Sequence, residues 1–191
     1  IETFINLVNN GVKIDGILNT MRDGNFYDGH AVFITPGGMA IGASGVLNVG
    51  TLSVITPTEE KYNTLKGEYD ARNYTNINNI SNLLNNEANV GNITVEGKIL
   101  ARNGIQLRGG DIAVAEGGAL INGIKSNQAF TDKSTALNDA NALFNSLVNT
   151  DGIKTASAFT TNGSNIQIKS SGSTDIAGTV VNGAAKAGQA N

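Results

Sequence analysis

Cysteine and tryptophan are absent from this 191-residue chain, proline occurs twice and histidine once. Without cysteine there is no disulfide scaffold, no thiolate metal site and no cysteine nucleophile, a composition compatible with export through an oxidising compartment. Charge is scarce as well: 15% of residues are charged, with 13 Lys and Arg against 16 Asp and Glu and a formal net charge of −3. The few basic residues are scattered, so the chain offers no electrostatic footprint for nucleic acid or an anionic membrane. No window approaches the roughly eighteen consecutive apolar residues of a membrane span. A Ser-His-Asp triad or a histidine metal site would have to be built around His30 alone, in a polar loop.

What the chain has in quantity is glycine, 24 residues of it, with abundant Asn, Ser and Thr, which is a turn-rich β composition. From Ala31 to Thr58, four apolar runs recur at nearly equal spacing: Val32 to Ile34, Met39 to Ile41, Val46 to Val49 and Leu52 to Ile55. Each is too short for a helix and rich in β-branched residues, and Gly37, Gly38, Gly42, Gly45 and Gly50 separate them as corners. Strands and corners of this size make a coil of about twenty residues. The pattern predicts an all-β fold, a parallel β-helix, as a single domain over 1–191. Period-two alternation points Leu47, Val49, Leu52 and Val54 into its core and Asn48 and Ser53 outward. Phe33 and Ile55 then fall on the outward parity and need an insertion to cover them.

A second block of runs follows, Ile93 to Val95, Ile99 to Ala101, Ile105 to Leu107, Ile112 to Val114 and Ala119 to Ile121, with polar Thr94, Glu96, Arg102 and Gln106 alternating between apolar residues. Two stretches break the pattern and predict helical insertions. In 57–89, Thr56 stands as N-cap, Pro57 at the first helical position and Glu59 at the third, with an expected stop at Gly67. In 131–148, Ala136, Leu137, Ala140, Leu143, Phe144, Leu147 and Val148 form one apolar stripe. Weaker runs at Ile166 to Ile168, Ile176 and Val180-Val181 precede a frayed or truncated tail at 182–191. The apolar opening IETFINLV suits a strand already inside a repeat array, with an N-terminal cap expected to precede it.

The segments FITPGGMAIGASGVLNVGTLSVITPT, GVKIDGILN and NITVEGKILARNGIQLRGGDI together resemble the filamentous-haemagglutinin-like secretion domain, especially its leukotoxin-like filamentous adhesin branch. The resemblance covers roughly residues 5–150. It implies a right-handed parallel β-helix at the start of a very long bacterial surface protein, exported across the outer membrane and displayed there as a fibre. The family's Asn-Pro-Asn-Gly secretion motif corresponds to Thr35, Pro36, Gly37 and Gly38, of which Pro36 and Gly38 match. Export with a dedicated outer-membrane transporter and export as an autotransporter both remain open.

Carboxylate pairs that would suit a glycosidase or lyase are Glu59-Glu60, Asp111 with Glu116, and Asp132 with Asp139. The first suits an initial helical turn, and Asp111 suits a Gly-Gly-Asp corner. The expectation is therefore a structural or adhesive segment with no catalysis, no metal and no cofactor. Its partners would be a surface receptor or glycan of a host or neighbouring cell, an outer-membrane transporter during export, and further copies of itself end to end. A glycan-binding or glycan-cleaving β-helix, or a self-stacking subunit of an extracellular fibre, is the alternative.

Overall fold

A computed structural model describes residues 2–86, 88–147 and 166–182. Strands β1 (Thr3–Leu7), β2 (Val12–Ile14), β3 (Ile17–Asn19), β4 (Met21–Arg22), β5 (Asn25–Phe26), β6 (His30–Ile34), β7 (Met39–Ile41) and β8 (Val46–Ile55) come first. Helices α1 (Glu59–Asp70) and α2 (Ile80–Leu84) interrupt them. Then follow β9 (Ile93–Val95), β10 (Lys98–Gly109), β11 (Ile112–Val114) and β12 (Ala119–Asn122), helix α3 (Ala136–Leu147), and β13 (Ile166–Ser170), β14 (Thr174–Ile176) and β15 (Thr179–Asn182).

The strands assemble into a parallel sheet of eight and a parallel sheet of five, with β4 and β5 as a small antiparallel hairpin. The larger sheet runs β1-β6-β8-β10-β12-β15, with β3 added on β8 and β13 on β10; the smaller runs β14-β11-β9-β7-β2. Apolar residues from both meet in one core that includes Met39, Ile41, Leu47, Val49, Leu52, Val54, Ile93, Val95, Ile99, Ile105 and Leu107.

This arrangement corrects the expectation of an all-β right-handed parallel β-helix. Parallel sheets combine with helices in an α/β-like arrangement, 18% helix and 43% strand among the described residues, that is not a closed solenoid. Part of the reason is visible at two glycines. Gly50 and Gly104 read as corners that end their strands, but Val46–Ile55 and Lys98–Gly109 each carry on past that point as one strand, with a register shift between Ala101 and Gly104. Asp28 makes this possible at Gly50. Its carboxylate and backbone occupy the space where a Cβ would stand, so only glycine carries the strand past that point. The other part is the chain that leaves the sheets altogether and covers the larger one with helices.

Register decides which residues enter the core. Leu47 pairs with Ile99, Leu52 with Ile105, and Val54 with both Phe33 and Leu107. Parallel partners share a face, so Phe33 lies in the core beside Val54 and needs no insertion above it. The outward set in β6 is Val32 and Ile34, which join Ile55, Tyr62, Leu65, Ile77 and Leu83 in a separate cluster under α1 and α2. Asn48 and Ser53 leave the core as their parity requires, yet both are fully buried, because other segments lie over them. Asn48 Nδ2 donates to Gln128 O at 2.7 Å and to Asn19 Oδ1 at 2.9 Å. Asn19 in turn grips the backbone of Phe130 through both its amide atoms.

The helices depart from the expected bounds for local reasons. Thr56 does not cap α1: its hydroxyl is turned to Arg108 O, to which it donates at 3.0 Å, and its N–H donates to Asn89 Oδ1. Thr58 caps instead, accepting from Lys61 N, with Glu59 and Glu60 in the first turn where negative charge is favoured. The helix does not stop at Gly67 but continues to Asp70, where the Lys66–Asp70 pair spans the last turn. Helix α3 buries Ala136 and Ala140 against Val46, Leu100, Ile121 and Val181 on the outer face of the larger sheet. Leu137, expected in its buried stripe, is exposed. Val148 and the tail from 183 onward lie outside the described residues.

Leu47→Ala removes a fully buried core side chain and is expected to cost about 2–5 kcal/mol in chemical denaturation. Gly67→Ala meets open space on a helix and is expected to raise stability by about 0.5–1 kcal/mol; a loss there would contradict the helical assignment.

Candidate functional site

The outward face of β6, β8, β10 and β13 changes character along its length. Val32, Ile34 and Ile55 are apolar and covered by α1 and α2. Where α2 ends, the same face turns polar. Gln106 is the register partner of Ser53 on one side and of Gln167 on the other, which aligns the three side chains across three parallel strands. Arg108 stands two residues further along β10. Gln106, Gln167 and Arg108, together with His30, Ile80, Ser81, Leu84 and Asn85, line a cleft of about 410 Å³ between α2 and the sheet, while Ser53 is fully buried.

The hydrogen bonds assign roles to the floor. Ser53 Oγ donates its one proton to Gln106 Oε1 at 2.6 Å. The contact between His30 Nε2 and Ser53 Oγ, 2.7 Å, must then be a donation from the imidazole. A protonated Nε2 cannot take the serine proton, and among the described residues no carboxylate bonds to Nδ1. The pair has the spacing of a nucleophile and its base but the opposite proton order. Burial holds the imidazole below its ordinary value of 6.5, so His30 is neutral at neutral pH.

Arg108 is 6% exposed. Its Nε donates to Leu84 O at the end of α2 at 2.9 Å, its Nη2 to Gln167 Oε1 at 2.9 Å and its Nη1 to Leu107 O at 3.2 Å. The first of these bonds holds α2 to the sheet by its last carbonyl, where positive charge is favourable. Burial lowers the guanidinium's pKa, and the group remains charged. No carboxylate forms an ion pair with it among the described residues.

No family model, characterised protein or solved structure matches this chain.

The residues singled out from sequence lie elsewhere. Thr35, Pro36, Gly37 and Gly38 make the corner between β6 and β7, with Thr35 buried and Gly38 at φ +86°. That corner is stacked between two others. A Cβ on Gly37 would strike the backbone of Asn10 and Gly11, and one on Gly38 the backbone of Asn92. Leu47, Val49, Leu52 and Val54 are all inside the core and none reaches the cleft. The carboxylate pairs do not converge with it either. Glu59 and Glu60 lie in the first turn of α1, Asp111 Oδ1 accepts from Ser173 N and Oγ, and Asp132 accepts twice from Ser134, which holds its carboxyl below the usual range. Among the described residues no group of three or more His, Asp or Glu side chains is placed to hold a metal.

Arg108 and Gln167 carry no catalytic motif, and sequence reasoning does not find them. The available signal is a repeat: Ile105-Gln106-Leu107-Arg108 returns as Ile166-Gln167-Ile168-Lys169, the same alternation on neighbouring strands.

The burial of His30 sets a pH dependence. Its folded pKa lies below the unfolded value, so the unfolded chain binds the proton more readily. This contribution is complete above pH about 6.5 and is lost as pH falls from there through the lowered folded value. Between pH about 7.5 and 5 the Tm of the native chain is expected to fall more than that of His30→Gln. Parallel curves would show that the imidazole is not desolvated.

Proposed function

We propose that this chain is a structural and adhesive segment of a long, secreted bacterial cell-surface adhesin of the filamentous-haemagglutinin-like kind, with no catalysis of its own. The observation that supports this reading is how its polar side chains are used. They tie strands and outer segments to one another instead of converging on a reacting atom. Asn19 and Asn48 fasten residues 127–130 to the sheet, Arg108 fastens α2, and Asp111 fastens the corner at Ser173. The one Ser-His contact has its protons the wrong way round for attack. Such a chain is a framework, and its varied surface is lateral, on the helices and the clefts beside them.

In the same reading the corner Thr35–Gly38 is the element met by an outer-membrane transporter during export. Its compact backbone, closed by Gly38 N donating to Thr35 O, is what a transporter would have to accept in unfolded form. The partner displayed to is a surface receptor or glycan of another cell.

Two measurements test the proposal together. Purified chain is expected to bind epithelial or bacterial cell surfaces saturably and to release no reducing ends or unsaturated products from acidic glycans, with or without calcium. Depolymerisation would replace the adhesive reading by a lyase or hydrolase, and absence of any saturable binding would remove adhesion from this segment.

A further inference from the structure

We propose that the cleft between α2 and the larger sheet binds a carboxylate-bearing saccharide, with Arg108 as the residue that receives the carboxylate. The inference rests on the adhesive reading and gives it a ligand class. Its starting point is a charge. A buried guanidinium is costly unless it is paired, yet Arg108 is 6% exposed and its partners among the described residues are neutral oxygens: Leu84 O, Leu107 O and Gln167 Oε1. Three of its five N–H groups are used in those bonds, which leaves two donors on a cation that lines an open cleft. The three neutral contacts fix the guanidinium plane in advance, so a ligand loses little entropy in ordering it.

The surroundings narrow the ligand. A planar fork with two remaining donors matches a carboxylate. Around it are groups suited to hydroxyls: the Gln106 amide, which donates to nothing among the described residues, the Ser81 hydroxyl and the Asn85 amide. Ile80 and Leu84 supply a small apolar wall for the C–H face of a ring. At about 410 Å³ the cleft falls at the lower end of the range for small-molecule sites and has room for one or two sugar rings. No second Lys or Arg lines it, as a phosphate or a polysulfated chain would favour.

The test uses the whole chain and a pair of probes differing only in the carboxylate: a galacturonate disaccharide and its methyl ester, with galactose 6-sulfate as a third, followed by NMR titration. The acid is expected to bind at least about tenfold more tightly than the ester or the sulfate. Arg108→Gln is expected to weaken binding of the acid by about ten- to a hundredfold. Because that substitution touches the anchorage of α2, Ser81→Trp serves as a second variant. It stands on an exposed helical position, leaves the sheet untouched and is expected to block the cleft. Equal binding of acid and ester, equal binding of the sulfate, or binding of the acid unaffected by Ser81→Trp would each overturn the proposal. Saturable adhesion to cells by a chain that binds none of the probes would overturn it and leave the adhesive reading standing. A chain that binds the acid but no cell surface would support the carboxylate site and remove the adhesive reading.

Discussion

The parallel register between β8 and β10 is the constraint on which the rest of this molecule depends. Over Val46 to Ile55 it sets residues of one strand against partners on the next, and parallel partners point to the same side. One residue of slip in β8 would carry Leu47, Val49, Leu52 and Val54 out of the core and bring Asn48 and Ser53 into it. The strands resist that because apolar residues alternate on each side of Gly50, Leu47 and Val49 before it and Leu52 and Val54 after it, and because the Gly50 hollow accepts Asp28 at one position only. The same register that builds the core therefore builds the polar column opposite it.

Both halves of that outer face are used. Around Val46 and Leu100 it receives α3, whose Phe144 ring lies 5.0 Å from the Lys98 ammonium, and the backbone of 127–130 held by asparagines. Around Val32, Ile34 and Ile55 it receives α1 and α2. The cleft exists because α2 is short and stops where the sheet surface changes from isoleucine to glutamine and arginine. Arg108 is thus both the clamp on the helix and the charge that lines the cleft beside its end. Stability and recognition meet in that one side chain.

Much of the strand content is legible from apolar triplets between glycines, because period-two alternation on a buried face is a local signal. What is not legible depends on residues distant in sequence. Gly50 reads as a corner until Asp28 is seen filling its place, and Thr56 reads as a helix cap until its hydroxyl is found on Arg108. Asn48 and Ser53 read as solvent-facing, since nothing nearby announces that residues 127–130 cover the first and that His30 and Gln106 bond to the second. Phe33 reads as outward only if parity is carried across a corner, where it does not propagate. The cleft escapes a linear reading for a related reason: its residues are unremarkable singly and acquire meaning only as register partners. The repeat of Ile-Gln-Leu-Arg in Ile-Gln-Ile-Lys is the one local clue to it.

The outward alignment of Ser53 with Gln106 ties the core, the polar column and the cleft together, and the absence of native cysteine allows it to be measured without background. In the double variant Ser53→Cys/Gln106→Cys the two thiols stand on neighbouring strands, on the same face and at register partners, within reach of a disulfide. In Ser53→Cys/Leu107→Cys they point to opposite faces. Mild oxidation followed by mass spectrometry is predicted to link the first pair within one chain and to leave the second reduced. Linkage of the second pair in preference to the first would contradict the register, and with it the core, the polar column and the cleft.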